Sequence, residues 1–358
     1  MSTLAILGAT GYTGRLCATE AVRRGLDVVL AARNPDKLAT LAQALGGPRT
    51  AVVDVADGVA LRALAEQADV LLTTVGPYLR HGRPALLAAL DGGAHYVDIT
   101  GEVPFQAWVR EHDQRAREAG VALCPAFGYD GVPGDLLAGI AARALDAPVE
   151  EARAAYLVRH GRASGGTLRS IVGIARSSGA VWQDGVLVTE PVAARSWDVP
   201  FPQPLGVRGA VSAPLPDVLT LADSTGASSA QAYLVTAGAN ALAKAGPPLE
   251  RATRALLASP LGVLVDRVAE RLPEGPAPAD RQRMKAAVLA EVRGGGRTAA
   301  AWCRLRDAYG TTAVITIDVA ERLLGGGAPR AGALTPTELL GEDADAFLRQ
   351  IGADWAMC

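Results

Sequence analysis

TLAILGATGYTGRL, residues 3–16, decides how the chain begins to fold. TLAIL has the length and composition of a short strand buried on both faces, and LCATEAVRRG after it has helical spacing up to Gly25. Gly8, Gly11 and Gly14 sit between the two, and a second apolar run, DVVLAAR at 27–33, follows directly. Strand, glycine turn, helix and strand within about 30 residues form the unit that binds dinucleotides. The spacing is Gly-x-x-Gly-x-x-Gly, and the physical reasons for each glycine survive it. Gly8 allows a tight exit from the strand, Gly11 lets the backbone approach a pyrophosphate, and Gly14 lets the helix pack on the sheet. Free N–H groups at the helix start, around Thr10, Tyr12 and Thr13, then face the anion. The alternative is a plain strand-to-helix turn, and the position between a buried strand and a helix favours the ligand site.

The end of the second strand reports which dinucleotide. NAD binders carry Asp or Glu there to accept from the ribose 2′-hydroxyl. This chain has Arg33 instead, followed by Asn34 and Lys37, while Asp27 lies at the opposite end of the strand. A guanidinium fork pairs with a 2′-phosphate that a carboxylate would repel. NADP(H) is the expected cofactor, against the plainer reading of a solvated basic loop.

Strand and helix patterns continue to alternate through TAVVDV (50–55), ADVLLTTVG (68–76), HYVDITG (95–101) and VALCPAFG (121–128). This predicts a Rossmann-type, doubly wound parallel sheet of class α/β, with its ligand beyond the carboxyl ends of the strands. Those ends hold the glycine turn, Arg33, Asp54, Gly76-Pro77-Tyr78, Asp98 to Glu102 and Phe127 to Asp130. Asp54, Gly76 and Pro77 therefore join the cofactor residues. Past about residue 148, AAYLVRHG, VWQDGVLVTE, VLTLADSTG, QAYLVTAG, AAVLAEVRGG and TAAAWCRLRD read as strands without a helix between each pair. An α+β domain with a largely antiparallel sheet is expected. The divisions expected are 1–135 for the NADP-binding domain, 136–330 for a substrate domain, and 331–358 for a segment that returns to the first domain. Helices are expected at 164–179, 249–272 and 311–327; the leucine-rich 249–272 reads as core in preference to a lid or an interface.

Composition narrows the function. The chain has 358 residues, 49% of them hydrophobic, and a formal net charge of -2, which gives no nucleic-acid footprint. No apolar run reaches membrane-spanning length, and the start lacks a signal-peptide pattern, so a cytoplasmic protein is expected. Cys17, Cys124, Cys303 and Cys358 show neither disulfide nor metal-site spacing, so no metal is expected. The partner is a small-molecule or carrier-bound substrate, with no nucleic acid and no membrane span, and a homo-oligomer is compatible with the composition. Lys37, Lys244 and Lys285 are the only lysines, and no tyrosine has a lysine four residues later. Ketone reduction by a Tyr-x-x-x-Lys pair is thereby excluded. Arg-His-Gly-Arg occurs at 80–83 and 159–162, by chance or as cations for a carboxylate or phosphate.

GATGYTG, AARNPDKL, GPYLRHG, GAHYVDITGE and PAFGYDGVPGDL, in that order, resemble the saccharopine dehydrogenase-like oxidoreductases, most closely their bacterial trans-acting enoyl reductase branch. The resemblance covers about the first 137 residues and continues loosely through SGGTLRS and ALTPTELLG. It implies an NADP-binding domain, a second domain that forms the substrate cleft, and reduction of a conjugated C=C on a carrier-bound polyketide chain. Saccharopine-type members instead form or reduce a C=N bond. Tyr129-Asp130 stands where the family often has Phe-Asp, and Gly131 where Ser is common. Enoyl reduction needs hydride at the β-carbon, donors near the thioester oxygen and a proton for the α-carbon. Tyr129, Asp130 and Tyr78 are the candidate catalytic residues, with Asp98 next. Each has a structural alternative: Asp130 can hold a turn, Asp135 can cap a helix, Tyr78 can wall the nicotinamide pocket, and His81 can be a solvated loop residue. Three functions are carried forward: an activated C=C reductase, an imine reductase or amino-acid dehydrogenase served by Arg80, Arg83, Arg159, Arg162 and Arg169, and a non-catalytic NADPH sensor or scaffold.

Overall fold

The computed structural model describes residues 2–159, 179–259, 275–328 and 330–358. Of the helix expected at 164–179 all but Gly179, the end of the one expected at 249–272, and Arg162 and Arg169 lie outside the described residues. The chain divides into two units, the first made of Met1–Thr100, Pro104–Tyr129 and Tyr309–Leu334, the second of Gly101–Val103, Asp130–Ala308 and Thr335–Cys358.

The first unit is built on β1 (Thr3–Leu7), β2 (Asp27–Ala32), β3 (Arg49–Val52), β4 (Val70–Thr73), β5 (His95–Asp98) and β6 (Ala122–Cys124). The helices between them are α1 (Tyr12–Arg23), α2 (Pro35–Ala44), α3 (Gly58–Glu66), α4 (Tyr78–Gly92), α5 (Val103–Arg110) and α6 (Asp113–Ala119). With β15 (Gly332–Ala333) the strands form a seven-stranded parallel sheet in the order β15-β6-β5-β4-β1-β2-β3. Chain order reverses between β1 and β4, the switch point where such sheets bind ligands. The segment between β5 and β6 holds two helices, α5 and α6. Leu7, Leu71, Tyr96, Phe105 and Leu123 are buried in the core on one face. Each is an apolar residue of a strand or helix that would otherwise leave its side chain in water.

The second unit starts with α7 (Val132–Leu145) and β7 (Glu151–Arg159), then the hairpin β8 (Gly179–Gln183) and β9 (Val186–Glu190). The Asp184-Gly185 turn between them has both residues at positive φ, 52° and 80°, as a two-residue hairpin turn requires. β10 (Ser196–Pro200), β11 (Val207–Ser212), α8 (Asp217–Thr225), β12 (Ser229–Val235), α9 (Ala239–Ala258) and α10 (Pro278–Arg283) follow. The ten-residue strands β13 (Lys285–Gly294) and β14 (Arg297–Arg306) pair along their whole length. The sheet has nine strands and is antiparallel apart from β7 with β12, which run parallel.

Three expectations are corrected. VLTLADSTG forms α8: Asp217 through Ala222 are all buried, so the segment has the unbroken apolar look of a strand buried on both faces, and Gly226 ends the helix at φ 71°. Helix α11 (Ala308–Leu324), read as part of the second domain, belongs to the first unit from Tyr309 onward. There Arg24 Nη1 on α1 meets Glu321 at 2.8 Å and Asp318 at 3.3 Å. The segment 331–358 was expected to return to the first domain, and only Gly332 and Ala333 pair there, against β6. From Thr335 the chain joins the second unit, where α12 (Pro336–Leu340), α13 (Ala344–Gln350) and β16 (Asp354–Met357) follow and β16 pairs with β14. Thr335 and Glu338 close α12 with a reciprocal capping box, which is the Thr-Pro helix start legible in the sequence.

Candidate functional site: the carboxyl edge of the parallel sheet

Because all strands of the first sheet run one way, their carboxyl ends share one edge. The glycine turn occupies its centre. Gly8, at φ 85°, bends the chain out of β1, and the N–H groups of Gly8 and Ala9 both donate to Ala31 O, at 2.9 and 3.1 Å. A Cβ on Gly8 would stand 2.7 Å from Val75 Cγ2 and 2.8 Å from Thr74 Oγ1. A Cβ on Gly14 would overlap Gly8 O, so α1 can start this close to the strand only as glycine. Gly11 is exposed, and the N-terminus of α1 has no side-chain cap. A helix start of this kind presents its first N–H groups to an anion. These are the features a dinucleotide's pyrophosphate requires.

Arg33, Asn34 and Lys37 are exposed at the end of β2. Asn34 caps α2, its Oδ1 accepting from Lys37 N at 2.9 Å. Arg33 and Lys37 are the cations of this loop. Asp54 Oδ1, beyond β3, accepts from Ala56 N at 2.9 Å and so holds a turn. Gly76 and Pro77 lead from β4 into α4.

The four candidate catalytic residues differ in their surroundings. Asp98 is fully buried, and its Oδ1 accepts from the backbone N–H groups of Thr100 at 2.8 Å and Ala126 at 2.9 Å. It fastens the chain after β6, where Ala126 sits at φ 63°. Tyr78 is 5% exposed and packs on Phe105, with its hydroxyl donating to Thr73 O at 3.2 Å. Tyr78 and Asp98 therefore hold the backbone of the edge. Tyr129 ends the first unit, and its N–H donates to Thr312 Oγ1 at 3.1 Å. Asp130, next in sequence, opens the second unit and is exposed. Protein atoms crowd its carboxyl even though it reaches solvent, and that desolvation pushes it up to about 6. Asp135 does not cap α7; it is the fourth residue of the helix and buried, and its Oδ1 accepts from Thr337 N at 2.7 Å and its Oδ2 from Ser224 Oγ at 2.8 Å. Arg80 and Arg83 are exposed, and Arg83 lies 5.1 Å over the Trp108 ring.

Two residues of α11 reach this edge without any signal in the local sequence. Thr312 holds Tyr129, and Thr316 Oγ1 donates to Phe127 O at 3.1 Å. They lie more than 180 residues from their partners, so neither periodicity nor motif spacing could have placed them. Among the described residues, no three His, Cys, Asp or Glu side chains gather to hold a metal, and no helix is long and apolar enough to cross a membrane.

An Arg33→Asp substitution tests the adenosine end. We expect NADPH affinity to fall by roughly 10- to 100-fold, the worth of a charge-assisted contact, with NADH affinity unchanged. Calorimetric titration of both nucleotides measures it; an equal loss for the two would exclude recognition of the 2′-phosphate by Arg33.

Comparison with known proteins agrees with this geometry. Residues 4–124 match the saccharopine dehydrogenase NADP binding domain. A trans-acting enoyl reductase of Mycobacterium tuberculosis (strain H37Rv) is 34% identical over 141 residues, which are 37% of this chain and 34% of that protein. The Mycobacterium ulcerans trans-acting enoyl reductase is 33% identical over 140 residues, with the same shares. The aligned part thus spans about a third of the curated relatives' length. Saccharopine dehydrogenase (L-Glu forming) of Saccharomyces cerevisiae shares the fold, with a TM-score of 0.67 at 14% identity and full coverage of both chains. Residues 4–124, which carry the glycine turn and Arg33, are thus similar to the NADP-binding domain of the saccharopine dehydrogenases, and NADP(H) is the dinucleotide of this part of the chain.

Proposed function

We propose that the chain is an NADPH-dependent oxidoreductase that reduces an activated C=C bond, an enoyl thioester on a carrier-bound polyketide or related biosynthetic intermediate. The observation that carries the reading is the glycine turn with Arg33, in a stretch whose curated relatives are trans-acting enoyl reductases. The nicotinamide supplies the hydride when bound. The chain's own residues bind and orient it: the α1 start holds the phosphates, Arg33 and Lys37 the 2′-phosphate, and the backbone after β4 and β6 lines the edge. Tyr129 and Asp130 provide positioning and the proton. With its carboxyl pushed up to about 6, Asp130 keeps a minor fraction of its acid form near neutral pH, where an ordinary carboxyl has almost none, and can serve as an acid for the α-carbon.

The rate is then expected to fall as pH rises through about 6, because the acid form of Asp130 is lost, and Asp130→Asn is expected to lower the rate and flatten that limb. The chemistry itself is tested by NADPH oxidation with a panel of crotonyl-type thioesters and a second panel of cyclic imines and keto-acid plus amine pairs. Turnover of thioesters is expected. Turnover of imines alone would replace this reading with a saccharopine-type one, and NADPH binding without turnover would replace it with a sensor.

A further inference from the structure

Helix α11 does more than fasten the Tyr129 strap. The Tyr309 ring, in its first turn, meets the Tyr12 ring edge to face, with centroids 5.2 Å apart and planes at 89°. Tyr12 is the first residue of α1, between Gly11 and Gly14 of the glycine turn. At the other end of the two helices, Arg24 meets Glu321 at 2.8 Å. Twelve residues separate Tyr12 from Arg24, and twelve separate Tyr309 from Glu321. The helices therefore run side by side and in the same direction for about 18 Å. Both amino ends lie at the phosphate end of the sheet edge, where the positive ends of their dipoles favour the same anion.

We propose that Tyr309 is a cofactor-positioning residue: through the Tyr12 ring it sets the start of α1 at the angle that the dinucleotide's phosphates require. Gly11 is exposed and brings no side chain to cap the helix, while Arg15 Nη1 donates to Thr10 O at 2.7 Å, so the ring pair adds a second hold on the start of α1 to the one that Arg15 gives the turn. An edge-to-face ring pair is directional, and fixes the tilt of one ring against the other. The contact needs the ring and not the hydroxyl, so phenylalanine serves as well as tyrosine. The inference rests on the cofactor reading and adds a residue about 300 positions from the turn it serves, outside the residues 4–124 that match the saccharopine dehydrogenase NADP binding domain.

Calorimetric titration of the full chain with NADPH and with adenosine 2′-monophosphate tests it, together with thermal unfolding. Tyr309→Ala is expected to weaken NADPH about 5- to 10-fold, the worth of an aromatic pair, and to leave adenosine 2′-monophosphate binding unchanged, since that ligand lacks the pyrophosphate. Tyr309→Phe is expected to restore NADPH binding. Arg24→Ala, which loosens the far end of the same helix pair, is expected to lower Tm without changing NADPH affinity. The proposal is overturned by unchanged NADPH affinity in Tyr309→Ala, by equal losses for both ligands, or by Phe behaving as Ala. If the unaltered protein binds adenosine 2′-monophosphate but not NADPH, the positioning role falls; if it binds neither, the cofactor reading falls with it.

Discussion

Gly14→Ala is expected to weaken NADPH binding by about 100-fold or more, a cost of about 2.7 kcal/mol. The added methyl would overlap Gly8 O and stand 2.9 Å from both Gly8 C and Thr74 Oγ1. Two of those atoms are backbone in the turn itself, and neither can rotate away. Either α1 lifts from β1 or the turn opens, and both outcomes remove the N–H groups from the pyrophosphate. Some stability is lost too, since overpacking costs about 1–3 kcal/mol. Gly11→Ala separates the effects: its Cβ faces only Gly8 O, at 3.2 Å, and the site is exposed. It is expected to keep Tm within a few degrees and still lose NADPH affinity, because the methyl occupies the ligand's approach. Titration and thermal unfolding of both variants decide the matter; wild-type affinity in Gly14→Ala would mean the turn binds no phosphate.

The second large effect is expected inside the other unit. Gly134 lies in the first turn of α7, where a Cβ would overlap both Asp217 Oδ1 and Tyr156 Oη and stand 3.2 Å from Ala154 Cβ. Those two oxygens share a 2.7 Å hydrogen bond, Tyr156 donating. Gly134→Ala must break that bond or displace α7, and either leaves buried polar groups without partners. We expect a loss of about 3 kcal/mol or more, read as a drop in Tm, with Ser no better than Ala. Tm within a degree or two of wild type would show that α7 can slide. Burial, and after it the nearby Asp135 and Asp130 carboxylates, push Asp217 well above the usual carboxylate range, against the opposing hydrogen bond from Tyr156. Burial likewise pushes Asp135 up to about 6. Below about pH 4 both acids are protonated folded or unfolded and cost nothing. As pH rises, the unfolded chain releases the protons first, so stability is lost through about 6 for Asp135 and to higher pH for Asp217. Asp217→Asn should therefore gain in Tm relative to wild type as pH increases; a gain that shrinks with pH would contradict the sign.

How far the sequence could be read depended on whether a contact was local. The glycine turn, Arg33 and the strands at 3–7, 27–32 and 122–124 belong to short motifs, and each was legible from neighbours within a few residues. Asp98 and Tyr78 have the residue types of catalysis at the right edge, yet their polar atoms serve backbone groups, which only the bonds to Thr100, Ala126 and Thr73 reveal. The apolar run at 218–222 satisfies strand composition, and its unbroken burial is shared by α8 and by strands such as β1, so composition could not separate the two. β10 and β11 went unread because SWDVP and VRGAVS are short, carry Pro or Gly, and are held by pairing with each other and with β12. Thr312, Thr316 and Tyr309 were invisible for a different reason: what makes them matter lies at the other end of the chain.

That distance has a consequence for biosynthesis. The cofactor-binding body is discontinuous, and Tyr309–Leu334 completes it only after Asp130–Ala308, most of the other body, has been made. On the ribosome, the first 129 residues must wait through nearly 180 further codons for the helix that covers α1, with the Arg24 guanidinium and the flank of α1 open to water meanwhile. A polypeptide cut short before Tyr309 would retain the glycine turn and Arg33 and still be an unfinished receptor.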